Sequence, residues 1–113
     1  YPEGLERALE ETARFGLPLV VTENGIADAT DRFRAAFLER SLEALDRARQ
    51  AGADVRGYFH WSLMDNFEWA DGHEGRFGLY EVDFDNPAAR RVKRASADRY
   101  ADLVRHRLST RPR

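Results

Sequence analysis

The sequence predicts an α/β fold with parallel strands, and one that does not close on itself. Leu19, Val20 and Val21 form a continuous apolar run, which suits a strand covered on both faces. A second strand candidate, residues 54–62, carries Val55, Gly57, Tyr58, Phe59 and Trp61. Between them lies a helix pattern of about five turns. A strand, a helix and a strand make the two strands parallel, by a right-handed crossover. The resulting order α-β-α-β-loop-α leaves each strand an unpaired edge and the sheet short of cover. The chain is therefore expected to be part of a larger α/β sheet or barrel.

The elements follow in order. In residues 1–16, Pro2 suits the first helical position and Gly16 the C′ position. Leu5, Ala8, Leu9, Thr12 and Ala13 fall at i, i+3, i+4, i+7 and i+8, one apolar stripe. A short turn leads into the first strand, which stops at Thr22-Glu23-Asn24-Gly25. A polar loop follows, and Thr30 or Asp31 is expected to cap the next helix. Phe33, Phe37, Leu38, Leu42, Leu45 and Ala48 carry that helix's buried side, and Gly52 ends it. After the second strand, residues 63–76 form a long loop with two aromatics, Phe67 and Trp69, among its acids, and such loops are functional or disordered. The aromatics favour order. Residues 77–84 read as a short strand or hairpin arm, and Asp85-Asn86-Pro87 as a turn. Residues 88–108 read as one helix with Val92, Ser96, Tyr100, Leu103, Val104 and Leu108 on one side, and residues 109–113 as a frayed tail. No repeat or linker divides the chain, so residues 1–113 are read as one domain.

Composition narrows the partners. At 113 residues, 42% hydrophobic and 34% charged, the chain is ordinary for a globular protein. A formal net charge of −2 gives no reason to expect nucleic acid or an anionic membrane. No apolar run approaches the roughly 18 residues of a membrane span. With no cysteine, disulfides and thiolate metal sites are excluded. The sequence starts at Tyr1, so a leader segment is not readable from it, and a cytoplasmic location is the expectation.

Chemistry is expected where the two strands end. Parallel neighbours bring their carboxyl ends to one face, which places Glu23 near His60-Trp61-Ser62 and the acids of the following loop. Carboxylates, an amide such as Asn66 and flat indole faces suit a sugar, because carboxylates accept hydrogen bonds from pairs of hydroxyls. Each residue also has a plainer reading. Glu23 can start a solvated loop, and Trp61 and Trp69 can be core packing. Asp65, Glu68, Asp71 and Glu74 can be a solvated acidic loop or a cation site, although their spacing fits no calcium-loop pattern. His60 and His73 lack ligand spacing and read as structural or rim residues. The nine basic residues between Arg90 and Arg113 face only Asp98 and Asp102 in that segment. They read as solvated helix faces and dipole-compensating ends, with a nucleic-acid patch as the alternative.

Taken together, these residues carry a family resemblance. Thr22-Glu23-Asn24-Gly25 after an apolar strand resembles the nucleophile motif of glycoside hydrolase family 1, the β-glucosidases and β-glycosidases. Asp54-Val55-Arg56-Gly57-Tyr58-Phe59-His60-Trp61-Ser62-Leu63-Met64-Asp65-Asn66-Phe67-Glu68-Trp69 resembles the family's second signature. Arg76-Phe77-Gly78-Leu79 and Val82-Asp83 continue it. The match covers nearly the whole chain but only the family's C-terminal quarter. It departs at Met64, where leucine is usual, at His73, where an aromatic is common, and at Phe37 and Ser41, in place of tyrosine and histidine.

The resemblance implies a (β/α)8 TIM barrel, with this chain as its C-terminal portion: strands seven and eight and their helices. It implies a retaining β-glycosidase in which Glu23 is the nucleophile. Trp61, Glu68, Trp69 and Phe77 would then hold the sugar, with Asn24 and Arg76 in support. The implied partners are a β-glycoside or oligosaccharide substrate and an N-terminal barrel segment, and no metal or organic cofactor is implied. In the family the acid/base glutamate lies in an Asn-Glu-Pro motif, and these 113 residues contain none. Turnover would therefore need that complementary segment. The alternative is a non-catalytic carbohydrate-binding or self-associating barrel fragment.

Overall fold

A computed structural model describes residues 1–109, with side chains as far as Arg107. Of the expected tail over residues 109–113, only the Ser109 backbone is described, and it is helical; the rest of that tail and the Leu108 side chain lie outside the described residues. The elements are α1 (Glu3–Ala13), β1 (Leu19–Asn24), α2 (Arg34–Gln50), β2 (Val55–His60), a 3-10 turn (Trp69–Asp71), β3 (Tyr80–Val82), β4 (Arg91–Lys93) and α3 (Ala95–Ser109). β1 and β2 pair in parallel, and β3 and β4 pair antiparallel. The parallel pair and the crossover helix agree with the expectation from sequence.

Helices cover one face of the parallel pair. Leu9 of α1, Leu45 and Ala48 of α2, and Val21, Ala53 and Val55 form a buried cluster, with Leu5, Ala13, Leu19 and Tyr58 packed against it. Burial of this apolar surface is the main stabilisation of the unit. Of the expected α1 stripe, Ala8 and Thr12 are exposed and Leu9 carries the contact. Gly16 takes φ +67°, a left-handed turn that glycine adopts without cost, and its N–H bonds the Ala13 carbonyl. Arg40–Glu3 and Arg47–Glu6 tie α2 to α1, while Arg99–Glu39 and Arg107–Asp46 tie α3 to α2.

Three expectations need correction. The helix over residues 88–108 begins only at Ala95. Residues 91–93 are a strand, and Val92, expected on a helix face, is 43% exposed opposite Glu81. Alanine and arginine there favour a helix, but pairing with β3 and the pull of Arg94 into the interior prevail. The cap of α2 is neither Thr30 nor Asp31. Asp28, reaching across several residues, accepts from the N–H groups of Phe33 (2.8 Å) and Arg34 (3.2 Å). Phe33, expected in the core, is instead 60% exposed at the helix start. Asp31 caps a different helix, accepting the Ser96 N–H of α3 at 2.9 Å.

Candidate active site

Two register breaks decide which way the strand-end residues face. The pairing runs Leu19↔Val55, Val20↔Gly57, Val21↔Tyr58 and Asn24↔His60. Between Val21 and Asn24, two residues of β1 therefore oppose one of β2, which is a β-bulge, and bulges re-aim side chains. Val21 lies in the helix-side core. Asn24 is on that side too, because the Tyr58 hydroxyl donates to its Oδ1 at 2.8 Å and Tyr58 packs against the core cluster. Adjacent strand residues alternate, so Glu23 projects to the other face. Val20 and Phe59 mark that face: they are 50% and 62% exposed, and a Cβ on Gly57 would lie 3.2 Å from Val20 and 4.0 Å from Phe59. Without the bulge, Glu23 would follow Leu19 and Val21 toward the helices.

Trp61 and the loop after it close against the end of β1. The Trp61 N–H bonds the Asn24 carbonyl at 3.0 Å. A Cβ on Gly25 would lie 1.8 Å from the Trp61 carbonyl oxygen, so only glycine permits this approach. The indole Nε1–H of Trp61 donates to the Glu68 carboxylate at 3.1 and 3.4 Å. Phe77 lies between Gly25 and Gly75, at 3.4 and 3.1 Å from their would-be Cβ positions, and the Glu68 side chain lies against Gly75 as well. Trp61, Glu68 and Phe77 thus gather where β1 and β2 end. Trp69 stands 87% exposed with φ +48°. The Trp61–Ser62 peptide is cis.

The acids of the loop divide. Asp65, open in sequence to a solvated or cation-binding reading, is 2% exposed and accepts both Arg94 guanidinium N–H groups, at 2.9 and 3.0 Å. It also accepts the N–H groups of Gly78 (2.8 Å) and Val82 (3.3 Å), with Arg76 3.6 Å away. Burial opposes its ionisation, but Arg94 and these N–H groups outweigh it and hold the carboxyl below its ordinary value. Asp65 therefore bolts the loop to the β3–β4 hairpin. The described residues contain no cluster of three or more His, Asp or Glu able to hold a metal. His60 is half-buried with its ring 6.0 Å from that of Tyr100, and burial lowers its pKa. His73 stacks on Phe84 with ring centres 4.0 Å apart and meets the edge of Phe67. The described basic residues of the C-terminal segment include Lys93, Arg94, Arg99, Arg105 and Arg107, which pair with carboxylates.

A second polar network supports the same end. The fully buried Arg34 donates to the carbonyls of Asp28 (2.6 Å) and Arg76 (2.7 Å) and pairs with Asp31. Arg76, expected in support, donates to the Val82 carbonyl at 3.0 Å and lies over Phe84. Sequence reasoning missed Asp28, whose partners Phe33 and Arg34 lie outside the usual capping spacing, and Arg34 and Arg94, which reach Arg76 and Asp65 from far along the chain. A groove of about 640 Å³ lies elsewhere, between α2, the start of β2 and α3, and includes Leu45, Val55 and Arg56. It is remote from Glu23, and the clustered motif residues identify the candidate site better.

The profile of glycosyl hydrolase family 1 matches residues 1–108. A β-galactosidase of Pyrococcus woesei is 49% identical over 82 residues, covering 73% of this chain and 16% of that protein. A bifunctional β-D-glucosidase/β-D-fucosidase of Bifidobacterium breve is 51% identical over 102 residues, covering 79% of this chain and 22% of that protein. The crystal structure of a hyperthermophilic β-glucosidase from Pyrococcus furiosus superposes with a TM-score of 0.89 at 48% identity, over 94% of this chain and 22% of that one. The chain thus spans less than a quarter of the length of these relatives. Among the described residues, no helix is long and apolar enough to cross a membrane.

Proposed function

The chain belongs to glycosyl hydrolase family 1, and from that premise we propose that it supplies the nucleophile and sugar-holding residues of a retaining β-glycosidase, as the C-terminal portion of one TIM-barrel domain. The observation that supports this most is the bulge at the end of β1. It turns Glu23 to the uncovered face, at the sheet end where Trp61, Glu68 and Phe77 gather.

The Glu23 carboxylate attacks the anomeric carbon. A carbon–oxygen bond to the enzyme forms as the glycosidic bond breaks. The departing oxygen takes a proton from a second carboxylic acid, about 5–5.5 Å from the first in a retaining site. Water then attacks the glycosyl ester, gives its proton to that second group and frees Glu23. Glu68, fixed by the Trp61 indole, accepts from sugar hydroxyls, while Trp61, Trp69 and Phe77 offer flat faces to the ring. The second carboxyl comes from the remainder of the barrel, joined to this chain or docked onto it. Covering the Val20 and Phe59 face is the physical reason for that remainder to bind.

One observation favours a second reading. The Trp61–Glu68 pair is complete within this chain, so a carbohydrate-binding fragment without turnover is consistent with it. A glycoside bearing 2-fluorine and a good leaving group separates the two, since it esterifies the nucleophile and stalls. With the barrel remainder present, intact-mass and peptide analysis should find one glycosyl adduct on Glu23. Sugar binding without an adduct, or an adduct elsewhere, would overturn the catalytic reading.

A further inference from the structure

The bulge that aims Glu23 needs an anchor, because its extra residue is left unpaired and the ladder is locally disrupted there. Asn24, the next residue, is held at two points. Its carbonyl accepts the Trp61 N–H at 3.0 Å, and its Oδ1 accepts the Tyr58 hydroxyl at 2.8 Å. Gly25 then lies directly on the Trp61 carbonyl. Tyr58 sits in the middle of β2, packed on the helix-side core, with its ring centre 6.4 Å from that of Tyr100 and Ser41 of α2 beside its hydroxyl. The phenol is therefore a fixed post and not a mobile surface group.

We propose that Tyr58, acting through Asn24, is a positioning residue for Glu23: its hydroxyl pins the end of the bulge from the helix side, so that the carboxylate stays aimed at the opposite face. This rests on the nucleophile role proposed for Glu23. Tyr58 touches no sugar, and the glycone contacts hang on Trp61 and Glu68, which have their own bonds. Loss of the hydroxyl should thus loosen the carboxylate and spare sugar affinity. Burial, with Tyr100 nearby, holds the phenol above its ordinary range, so it stays a donor throughout the neutral range.

The test uses the complex with the barrel remainder. Tyr58→Phe keeps the ring and removes one hydroxyl. Turnover should fall roughly 10- to 100-fold, the scale of a misplaced reacting group. KM and the affinity for a sugar-like competitive inhibitor should stay within about threefold, since uniform binding is untouched. Asn24→Ala should lose a similar factor, and Tyr58→Phe/Asn24→Ala should be no worse than Asn24→Ala alone, because both cut one contact. Unchanged turnover in either single variant overturns the proposal. So do additive losses, or loss of inhibitor binding together with turnover, which marks a merely structural role. If the unsubstituted complex binds inhibitor but never turns over, the role of Glu23 itself is refuted and the positioning role falls with it. Normal turnover of that complex with normal turnover of Tyr58→Phe refutes the positioning role alone.

Discussion

The two faces of the β1–β2 pair are finished to different degrees. On one, Val21 and Val55 are buried against Leu9 of α1 and Leu45 and Ala48 of α2. On the other, Val20 and Phe59 stay half or more exposed, and the exposed Glu23 belongs with them. The same strands therefore have one face that packs within the chain and one that awaits cover. Parallel sheets occur almost only with both faces covered. The incomplete face is also the one to which the candidate chemistry points. If Glu23 acts as proposed, stability and function are separable: they reside on opposite sides of two strands, joined by a bulge.

That separation can be broken by experiment. The largest effect belongs to Glu23→Gln. Turnover of the complete barrel should fall on the order of 10⁶-fold, as when a nucleophile is removed elsewhere. The denaturation midpoint of this chain alone should hardly move, since the exposed side chain contributes little packing there. A large loss of stability would contradict the division of faces. Asp65→Ala should act in the opposite sense, leaving Arg94 buried without its counter-ion. A cost of about 3–5 kcal/mol is expected for such a broken pair, read by denaturant unfolding, with sugar affinity weakened as the 63–76 loop comes free.

A paired comparison sharpens the contrast. Leu45→Ala, on the covered face, should cost about 2–5 kcal/mol of folding stability. Phe59→Ala, on the open face, should change the stability of this chain by less than about 0.5 kcal/mol, as for a surface site. It should instead weaken association with the barrel remainder, measured by titration calorimetry. Equal effects of the two substitutions on stability would mean that the open face is already packed.

The smallest effect is on pH. Asp28, Asp31 and Asp65 all sit in environments that hold their carboxyls below the ordinary aspartate value; burial opposes the shift, and hydrogen bonds from backbone N–H groups, hydroxyl side chains and arginines outweigh it. A depressed folded-state pKa contributes stability that is present above the unfolded value and lost as pH falls through the folded one. The stability these carboxylates contribute should therefore be constant above about pH 5 and be lost steeply only below the ordinary aspartate range, while the half-buried His60, whose pKa is lowered, adds a shallow decline below about pH 6.5. Asp28→Asn should lower the plateau and soften the acid slope. Since Asp28 lies on the supporting side, the sugar affinity of this variant at pH 7 should stay close to that of the unsubstituted protein.

Much of this division was legible in the sequence. The apolar run ending in Thr22-Glu23-Asn24-Gly25, the crossover helix and the aromatic second strand gave the parallel pair, because period and strand-end chemistry are local signals. Trp61, Glu68 and Phe77 could be picked from motifs, and they do gather. What was hidden lay outside the local patterns. Asp28 caps α2 across an intervening loop that no short-range capping pattern covers. Arg94 read as one more helical arginine, although it is pulled inward by Asp65, 29 residues away. The β4 strand was masked by helix-favouring alanines and arginines, whose propensity yields to pairing with β3. The bulge was illegible too: no residue type announces it, and it becomes visible only when the pairings of Val21 and Asn24 are compared.

The most direct measurement is reconstitution. The chain would be mixed with the barrel remainder of the Bifidobacterium breve relative, and hydrolysis of an aryl β-glucoside followed. Neither part should release the phenol alone, while the mixture should, at a rate that saturates at equal stoichiometry and vanishes with Glu23→Gln. Release by this chain alone at the rate of the mixture would contradict the need for a second carboxyl from outside it. A tight equimolar complex that binds sugar and releases nothing would contradict Glu23 as nucleophile.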